Sequence, residues 1–154
     1  MKMELKGSEE IAASREALWE GLNDPAVLTK CIPGCKEMVE TGPDAYEVKL
    51  QLKVAAVGGS FDGKVRLHDK EEPVHCRITI SGGGSLGTGN GTAEFRIEET
   101  GPGTSRLDYE GTGEIGGLVA GVGQRVLGSV AKHLTKQFFT ALRKHFAESG
   151  EAAA

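Results

Sequence analysis

The stretch that decides the fold is IGGLVAGVGQRVLGSVAKHLTKQFFTALRKHF, residues 115–146 of a 154-residue chain. Its apolar residues recur at helical spacing, which predicts one long C-terminal helix from Ile115 to Phe146. From Gly123 onward this helix is amphipathic, with a basic stripe formed by Arg125, Lys132, Lys136 and Arg143. Large apolar residues lie roughly opposite the stripe, so we expect them to form the buried face: Leu127, Val130, Leu134, Phe138 and Ala141.

The first half of the predicted helix carries small residues in the buried direction, namely Gly116, Ala120 and Gly123. Glycine inside a helix costs about 1 kcal/mol relative to alanine, so tertiary structure must offset that cost. One interpretation is that the small residues let the helix backbone approach a sheet closely. The other is that the missing side chains leave room for an apolar ligand, since ligand sites are usually concave.

The middle of the chain is predicted to form an antiparallel meander. Apolar and polar residues alternate with a period of two, and turn residues separate the alternating stretches. The clearest stretches cover residues 46–54, 61–68, 75–80, 93–98 and 106–111. Each predicted strand has one polar face, so other elements can cover only one face of the sheet.

The N-terminal segment is expected to add one strand and two short helices. Residues 1–13 alternate loosely and predict an edge or closing strand. Ser14 and Asp24 are good N-caps, and they predict helices over Arg15–Leu22 and from Pro25 to Thr29 or Lys30.

Together these elements predict an α+β fold in which a curved antiparallel sheet wraps around the long helix, with the short helices after the first strand. This is the helix-grip, or START-like, fold. We expect a single domain over residues 1–148 and a disordered tail over residues 149–154. Because this fold commonly leaves a cavity between sheet and helix, it favours the ligand interpretation of the glycines.

Composition excludes several classes of protein. A net charge of -4 gives no basic excess for nucleic-acid binding. No apolar run reaches the length of about 18 residues that a membrane span needs, and the N-terminus has no signal-peptide core, so we expect a cytoplasmic protein. The three cysteines, Cys31, Cys35 and Cys76, imply no disulfide framework and are expected to be reduced.

Two motifs suggest chemistry that their context does not favour. The glycine-rich run 82–91 contains a formal G-x-G-x-x-G, but a strand follows instead of the helix that a nucleotide-binding loop requires. We expect a hairpin with bulges or a mobile gate. Cys31 and Cys35, with His68 and His75 elsewhere, do not show the ligand pairs of a zinc site, so neither a metal nor a cofactor is predicted.

Catalysis is not expected either. The inward-facing positions are almost wholly apolar, with the hydroxyls of Tyr46 and Tyr109 as exceptions. His133 and His145 lie on the long helix, where we expect satisfied or exposed side chains and not a catalytic base.

Four runs of the sequence resemble a known family. They are LWEGLNDPAVLTKCIPGCKEM, KLQLKVAAVGGSFDGKVRLHDKEEP, GGGSLGTGNGTAEFRIEE and GGLVAGVGQRVLGSVAKHLTKQFF. In this order, and over nearly the whole chain, they resemble the CoxG family, named for the G subunit of carbon monoxide dehydrogenase, within the SRPBCC, or START-like, superfamily. The combination of NDP, CIPG and the glycine-led C-terminal segment is the specific part.

The resemblance implies a cavity for a hydrophobic or amphipathic ligand. For some members it further implies work beside the molybdenum-containing carbon monoxide dehydrogenase, through membrane recruitment of that enzyme or quinone handling for it. Members with a membrane role tend to carry a linker and an extra C-terminal amphipathic segment. The sequence ends at ESGEAAA without them, so we expect membrane contact to be at most peripheral.

Three sets of candidate site residues follow. Residues expected to line the ligand cavity are Val54, Phe61, Val65, Ile78, Ile80, Ala93, Phe95, Leu107, Tyr109, Gly116, Val119, Ala120 and Gly123. The expected cavity rim is Cys31, Ile32, Pro33 and Gly34. The basic stripe, Arg125, Lys132, Lys136 and Arg143, is either a solvated helix face or a docking surface for an acidic partner or an anionic lipid surface. Leu118 and Val122 are either covered by the short helices or form an exposed portal or partner patch.

The sequence therefore predicts a non-catalytic protein that binds a quinone or another lipid-like molecule, possible partners being carbon monoxide dehydrogenase or another molybdenum hydroxylase. The alternative is an assembly or docking factor for such an enzyme with an incidental cavity. A polyketide-cyclase-like activity, known in the wider superfamily, is the weaker third hypothesis.

Overall fold

The computed structural model describes residues 1–54 and 57–149, with the backbone alone at residues 54, 57 and 149. The strands in these ranges are β1 Lys2–Ile11, β2 Cys35–Gly42, β3 Ala45–Val54, β4 Val57–Glu71, β5 His75–Gly84, β6 Gly87–Gly101 and β7 Thr104–Gly116. The helices are α1 Arg15–Leu22, α2 Pro25–Cys31, a 3₁₀ helix over Leu118–Val122, and α3 Gln124–Ser149. Apart from Ser149, which ends α3, the predicted tail lies outside the described residues.

All these strands form one antiparallel sheet in the order β1-β7-β6-β5-β4-β3-β2. Strands β2 to β7 follow the chain as a meander, and β1 pairs with β7, where Lys2 lies opposite Glu114. The sheet curves around α3, which confirms the predicted helix-grip fold. The sequence interpretation named no strand at β2, where register shifts near both ends of its pairing with β3 interrupt the alternation.

The two short helices begin where the N-caps predict. The Ser14 side chain accepts a hydrogen bond from the backbone N–H of Ala17 at 3.1 Å. The Asp24 carboxylate accepts one from the N–H of Ala26 at 2.9 Å. Helix α1 has the predicted bounds, and α2 runs slightly further than predicted, to Cys31.

The predicted helix over residues 115–146 is wrong in its first part. Strand β7 continues to Gly116, the 3₁₀ helix follows, and α3 begins only at Gln124. Gly117 and Gly123 flank the 3₁₀ helix with φ angles of 86° and 94°. An α-helix cannot continue through this left-handed conformation, which glycine adopts readily. The apolar spacing of this segment thus reflects two short elements and not one helix.

The buried face of α3 also differs from the predicted one. Of the predicted set only Leu127 is buried, and the other four residues are half-buried. The most buried positions are Phe139, Leu142 and Phe146, which are at most 4% exposed. The reason is that α3 packs mainly against α2 and β1. The basic stripe consequently borders the buried face instead of lying opposite to it.

The buried apolar side chains of the described residues form two separate clusters. The main core joins α1, α2, the sheet and the second half of α3: its buried members include Leu18, Trp19, Cys31, Cys76, Phe95, Ile97, Leu107, Leu142 and Phe146. The second cluster lies at the other end of the sheet, around Val119 and Leu127. Met1, Met3, Leu52 and Phe61 pack against it among other partly buried residues.

Candidate ligand site on the inner face of the sheet

The inner face of the sheet, which carries the core residues, has a patch of glycines at its centre. Gly63 pairs with Gly82, Gly82 with Gly89, and Gly91 with Gly113. These glycines fall in the same period-two register as the core residues of their strands, so they face inward. Because they have no side chains, the sheet backbone itself is the surface here. We call this patch the glycine floor.

At Gly63 and beside Ile80, the glycine floor borders open space. A Cβ built at Gly63 would meet within 4 Å only the carbonyl oxygen of Ser81, in the neighbouring strand. Ile80 also faces inward, opposite Val65 on one side and Gly91 on the other, yet it is 44% exposed. An inward-facing isoleucine is normally well buried. Its exposure indicates that nothing packs on this part of the floor.

Helix α3 leaves the same space free on its own side. Gly128 precedes Phe146 by five helical turns at about 3.6 residues each, so the two positions point in the same direction. Phe146 is 2% exposed in the main core. A Cβ built at Gly128 would meet no atom within 4 Å. The glycine floor and Gly128 therefore face a gap between the two apolar clusters.

Several predicted cavity residues surround this gap. Ile80 borders it directly, and Ala93 is half-buried in the strand beside it. Val65 and Ile78 are half-buried and pack against the main core. Phe61 is half-buried against the second cluster at the other end. The structure thus brings these five positions to one face of the sheet.

Other predicted cavity residues have different places. Phe95 and Leu107 are 5% and 2% exposed in the main core, so they pack the interior and do not border the gap. Tyr109 is half-buried, and its ring stacks on Phe139 of α3 with centroids 5.2 Å apart. Val54 ends β3, and its side chain lies outside the described residues.

The cavity residues that were predicted in the first half of the long helix lie outside α3. Gly116 ends β7, Val119 and Ala120 lie in the 3₁₀ helix, and Gly123 connects that helix to α3. Val119 is buried in the second cluster, and its backbone N–H donates to the carbonyl of Leu86 at 2.7 Å. This segment therefore closes one end of the gap.

The glycine-rich run 82–91 is not the bulged hairpin that the sequence interpretation predicted. Strands β5 and β6 pair without a register shift from His75 opposite Arg96 to Gly84 opposite Gly87. The turn is limited to Ser85 and Leu86. Alternate glycines of the run supply most of the floor, so these glycines act as strand residues and not as turn residues. Reading them together with Gly63 and Gly113 by strand register would have located the floor from sequence.

The predicted rim lies at the end of α2. Gly34 has a φ of 74°, and its carbonyl accepts a hydrogen bond from the N–H of Gln51 at 2.8 Å. Ile32 and Pro33 are half-buried. Cys31 is 2% exposed in the main core, and its side chain therefore contributes to packing instead of lining a rim. Burial raises the pKa of the Cys31 thiol, with Lys30 opposing the shift, so the thiol stays protonated.

The apolar segment before α3 is partly exposed. Leu118 is 76% exposed, whereas Val122 is half-buried against the second cluster. The cover of Val122 comes from this cluster, which includes Met1 and Met3 of the N-terminal strand region, and not from the two short helices.

The polar groups on the inner face include the hydroxyls of Tyr46 and Ser105. Tyr46 is 5% exposed in the main core, and the buried Ser105 hydroxyl donates to the carbonyl of Ala13 at 2.8 Å. The described residues contain no group of histidine, cysteine and carboxylate side chains that could hold a metal ion. None of the helices within residues 1–54 and 57–149 is long and apolar enough to cross a membrane.

Comparison with known families identifies the chain. The model of the CoxG family, described as the G subunit of carbon monoxide dehydrogenase, matches residues 7–147, which include most of the sheet, the glycine floor and most of α3. This chain belongs to the CoxG family. No curated protein matches the sequence.

The chain is also similar to solved structures. A conserved protein from Geobacillus kaustophilus is 36% identical, with a TM-score of 0.93 over 96% of this chain and 97% of that one. A START superfamily protein from Mycobacterium smegmatis is 16% identical, with a TM-score of 0.75 over 94% and 97% of the two chains. The Zhui aromatase/cyclase from Streptomyces sp. R1128 is 15% identical, with a TM-score of 0.74 over 100% and 99%. The last two similarities concern the fold alone.

Proposed function

We propose that this CoxG-family chain binds a hydrophobic or amphipathic ligand, quinone or lipid-like, between the glycine floor and α3, without catalysing a reaction on it. The single observation that carries this proposal is the 44% exposure of Ile80 on the inner face of the sheet. A packed core would bury that side chain, whereas a ligand space leaves it accessible.

The chemistry of the gap suits a flat apolar group. Glycines allow a ring to approach the sheet backbone closely, because no Cβ stands between them. Ile80 and the half-buried Val65 and Phe61 offer apolar contacts around the floor. Burying apolar surface stabilises such a complex by about 25 cal/mol per Å², from which the cost of association is subtracted.

Extraction of the purified protein followed by mass spectrometry tests the proposal. We expect a quinone or lipid to copurify, and the delipidated protein to bind decylubiquinone in isothermal titration calorimetry. Replacing Ile80 with aspartate places a charge beside the gap and should weaken that binding at least about tenfold. Glu47→Asp, on the outer face of β3, is the control and should bind as the unchanged protein does. Delipidated protein that binds neither decylubiquinone nor a lipid analogue would contradict the proposal.

We further propose that the ligand serves a molybdenum-containing carbon monoxide dehydrogenase or a related redox enzyme. The family name supports this partner. A docking role is the second candidate, and the surface that favours it is the 3₁₀ helix with Leu118 76% exposed, next to the exposed Arg125 of α3. Leu118→Ser combined with Arg125→Glu should abolish capture of that enzyme in a pull-down while decylubiquinone binding persists.

Catalysis of the cyclase kind is the third candidate, and Tyr109 is its test. Its hydroxyl is the candidate acid–base group at the edge of the inner face, so turnover that disappears in Tyr109→Phe would support an enzyme. We expect no turnover in either protein, measured with an aromatic polyketide analogue.

A further inference from the structure

The groove between β1 and α3 differs in chemistry from the glycine floor. It has a volume of about 500 Å³. The lining residues that matter here are Leu5 and Glu9 of β1, Tyr109 of β7, and Lys132, Lys136 and Arg143 of α3. We call it the β1–α3 groove. It contains cations, a phenol hydroxyl and an apolar wall side by side.

The cations of the groove are not all balanced. The Arg143 guanidinium donates to the Glu9 carboxylate at 2.7 Å and to the carbonyl of Glu10 at 3.1 Å, so Arg143 is engaged by the fold. Lys132 and Lys136 are exposed and form no ion pair within residues 1–54 and 57–149. Lys6 of β1 also lines the groove and is exposed without an ion pair in the described ranges. Three cationic side chains therefore face the groove with no carboxylate partner in the described structure, and the two on α3 are the pair nearest in sequence to Arg143.

The Tyr109 hydroxyl is held at the groove without a partner of its own. A Cβ built at Gly7 would collide with this hydroxyl, so the hydroxyl can lie over β1 only because residue 7 is glycine. Stacking on Phe139 fixes the ring from the other side. Among the described residues none forms a hydrogen bond with the hydroxyl. Burial, and secondly the charge of Glu9, raises the Tyr109 pKa, so the group is a hydrogen-bond donor at neutral pH.

An apolar wall lies beside these polar groups. Leu5 is half-buried and, like the ring of Tyr109, lines the groove. A ligand that satisfies the whole groove consequently needs an anionic oxygen group for the lysines and the phenol, and an apolar body for the wall. Hydrogen bonds to charged groups are the stronger kind, which favours an anion over a neutral oxygen.

We propose that the β1–α3 groove binds the carboxylate or phosphate group of an amphipathic molecule, with Lys132 and Lys136 as the cations and the Tyr109 hydroxyl as the hydrogen-bond donor. This inference goes beyond the ligand space at the glycine floor, because it requires a charged group and does not require the floor to be occupied.

Calorimetric titration of the full chain with matched probes tests the site. The probes are dodecanoate, dodecyl phosphate, dodecanol and inorganic phosphate, each below its aggregation concentration. We expect both anionic amphiphiles to bind about tenfold or more tightly than dodecanol, which lacks the charge. We expect inorganic phosphate, which lacks the apolar body, to bind more weakly than dodecyl phosphate.

Variants then assign the binding to these residues. The double variant Lys132→Gln, Lys136→Gln should weaken dodecanoate binding about tenfold or more and leave dodecanol binding unchanged. Its control is Lys64→Gln with Lys144→Gln, which changes the net charge equally at exposed positions outside the groove. Tyr109→Phe should also weaken dodecanoate binding while the stacked ring remains.

Two results would overturn the site. If dodecanoate and dodecanol bound with equal affinity, and the lysine variants did not change it, the groove would not bind an anionic group. Apolar binding at the glycine floor would not be contradicted by that result. If inorganic phosphate bound as tightly as dodecyl phosphate, the apolar body would contribute nothing to binding, and the proposal of an amphipathic ligand would be wrong. Failure of decylubiquinone binding with normal dodecanoate binding, in contrast, would contradict the proposed function alone.

Discussion

At the residue scale, Gly34 is a position where the backbone conformation requires glycine. Its φ of 74° lies in the left-handed region, and a Cβ there would collide with the carbonyl oxygen of Gln51. We expect Gly34→Ala to lower the free energy of unfolding by about 2 kcal/mol or more, because both strain and collision act against alanine. Urea denaturation measures the change.

The matched control for this substitution is Gly42→Ala at the end of β2. A Cβ at Gly42 would meet no atom within 4 Å, and its φ is not in the left-handed region. We expect the control to change the free energy of unfolding by no more than about 0.5 kcal/mol. Equal effects of the two substitutions would show that the geometry of Gly34 is not what requires glycine.

A second residue-scale feature lies on the outer face of the sheet, where His75 is enclosed by carboxylates. Its Nε2 lies 2.8 Å from the Glu94 carboxylate, and its Nδ1 lies 3.4 Å from that of Glu71. The His75 side chain is only 7% exposed. Hydrogen bonding with His75, and next with Glu110, holds the pKa of Glu94 below its ordinary value of 4.5.

This shift predicts a pH dependence of stability. Because the folded-state pKa of Glu94 is lowered, its contribution is present above pH 4.5 and is lost as pH falls through the folded-state pKa. The stability difference between the unchanged protein and Glu94→Gln should therefore shrink as pH is lowered from about 7 to about 3. Urea denaturation at each pH measures it. In a His75→Gln background that pH dependence should be weaker, and an undiminished one would exclude His75 as the cause.

At the element scale, α3 shows what its sequence pattern could and could not predict. Helical spacing is a reliable signal for its second half, where Phe139, Leu142 and Phe146 are buried. It fails before Gln124, because Gly117 and Gly123 adopt left-handed conformations that a periodicity of apolar residues does not reveal. The predicted buried face of α3 is also wrong, because the buried face depends on which elements the helix packs against.

The same helix offers a direct test of the ligand gap. Gly128→Leu adds a side chain towards the glycine floor, where a Cβ meets no atom within 4 Å. Replacing a helical glycine stabilises the helix by about 1 kcal/mol. We therefore expect a raised melting temperature together with decylubiquinone binding weakened at least about tenfold, a combination that misfolding cannot produce.

Ser129→Leu is the control for Gly128→Leu, because it places the same side chain on the exposed neighbouring position. Binding of decylubiquinone should be unchanged in this variant. If both leucines weakened binding equally, or if Gly128→Leu bound decylubiquinone normally, the gap beneath Gly128 would not be the ligand space.

At the scale of the whole molecule, the architecture was predictable because each strand has one polar and one apolar face. That pattern requires a single covered face, and the long helix was available to cover it. The candidate site was less predictable. The glycines of β4 to β7 form a floor only through the pairing of their strands, and Phe95 and Leu107 have the same alternating pattern as Ile80 although they lie in the packed core.

The pairing of β1 with β7 has a consequence for the order of folding. Lys2 lies opposite Glu114, so β1 pairs with the last strand of the sheet in chain order. Such distant pairing closes a long loop and is slow compared with the adjacent hairpins of the meander. Until β7 is available, β1 remains an unpaired strand edge that other chains can reach. An intermediate that lacks β7 is therefore expected to associate with other chains more readily than the complete sheet does.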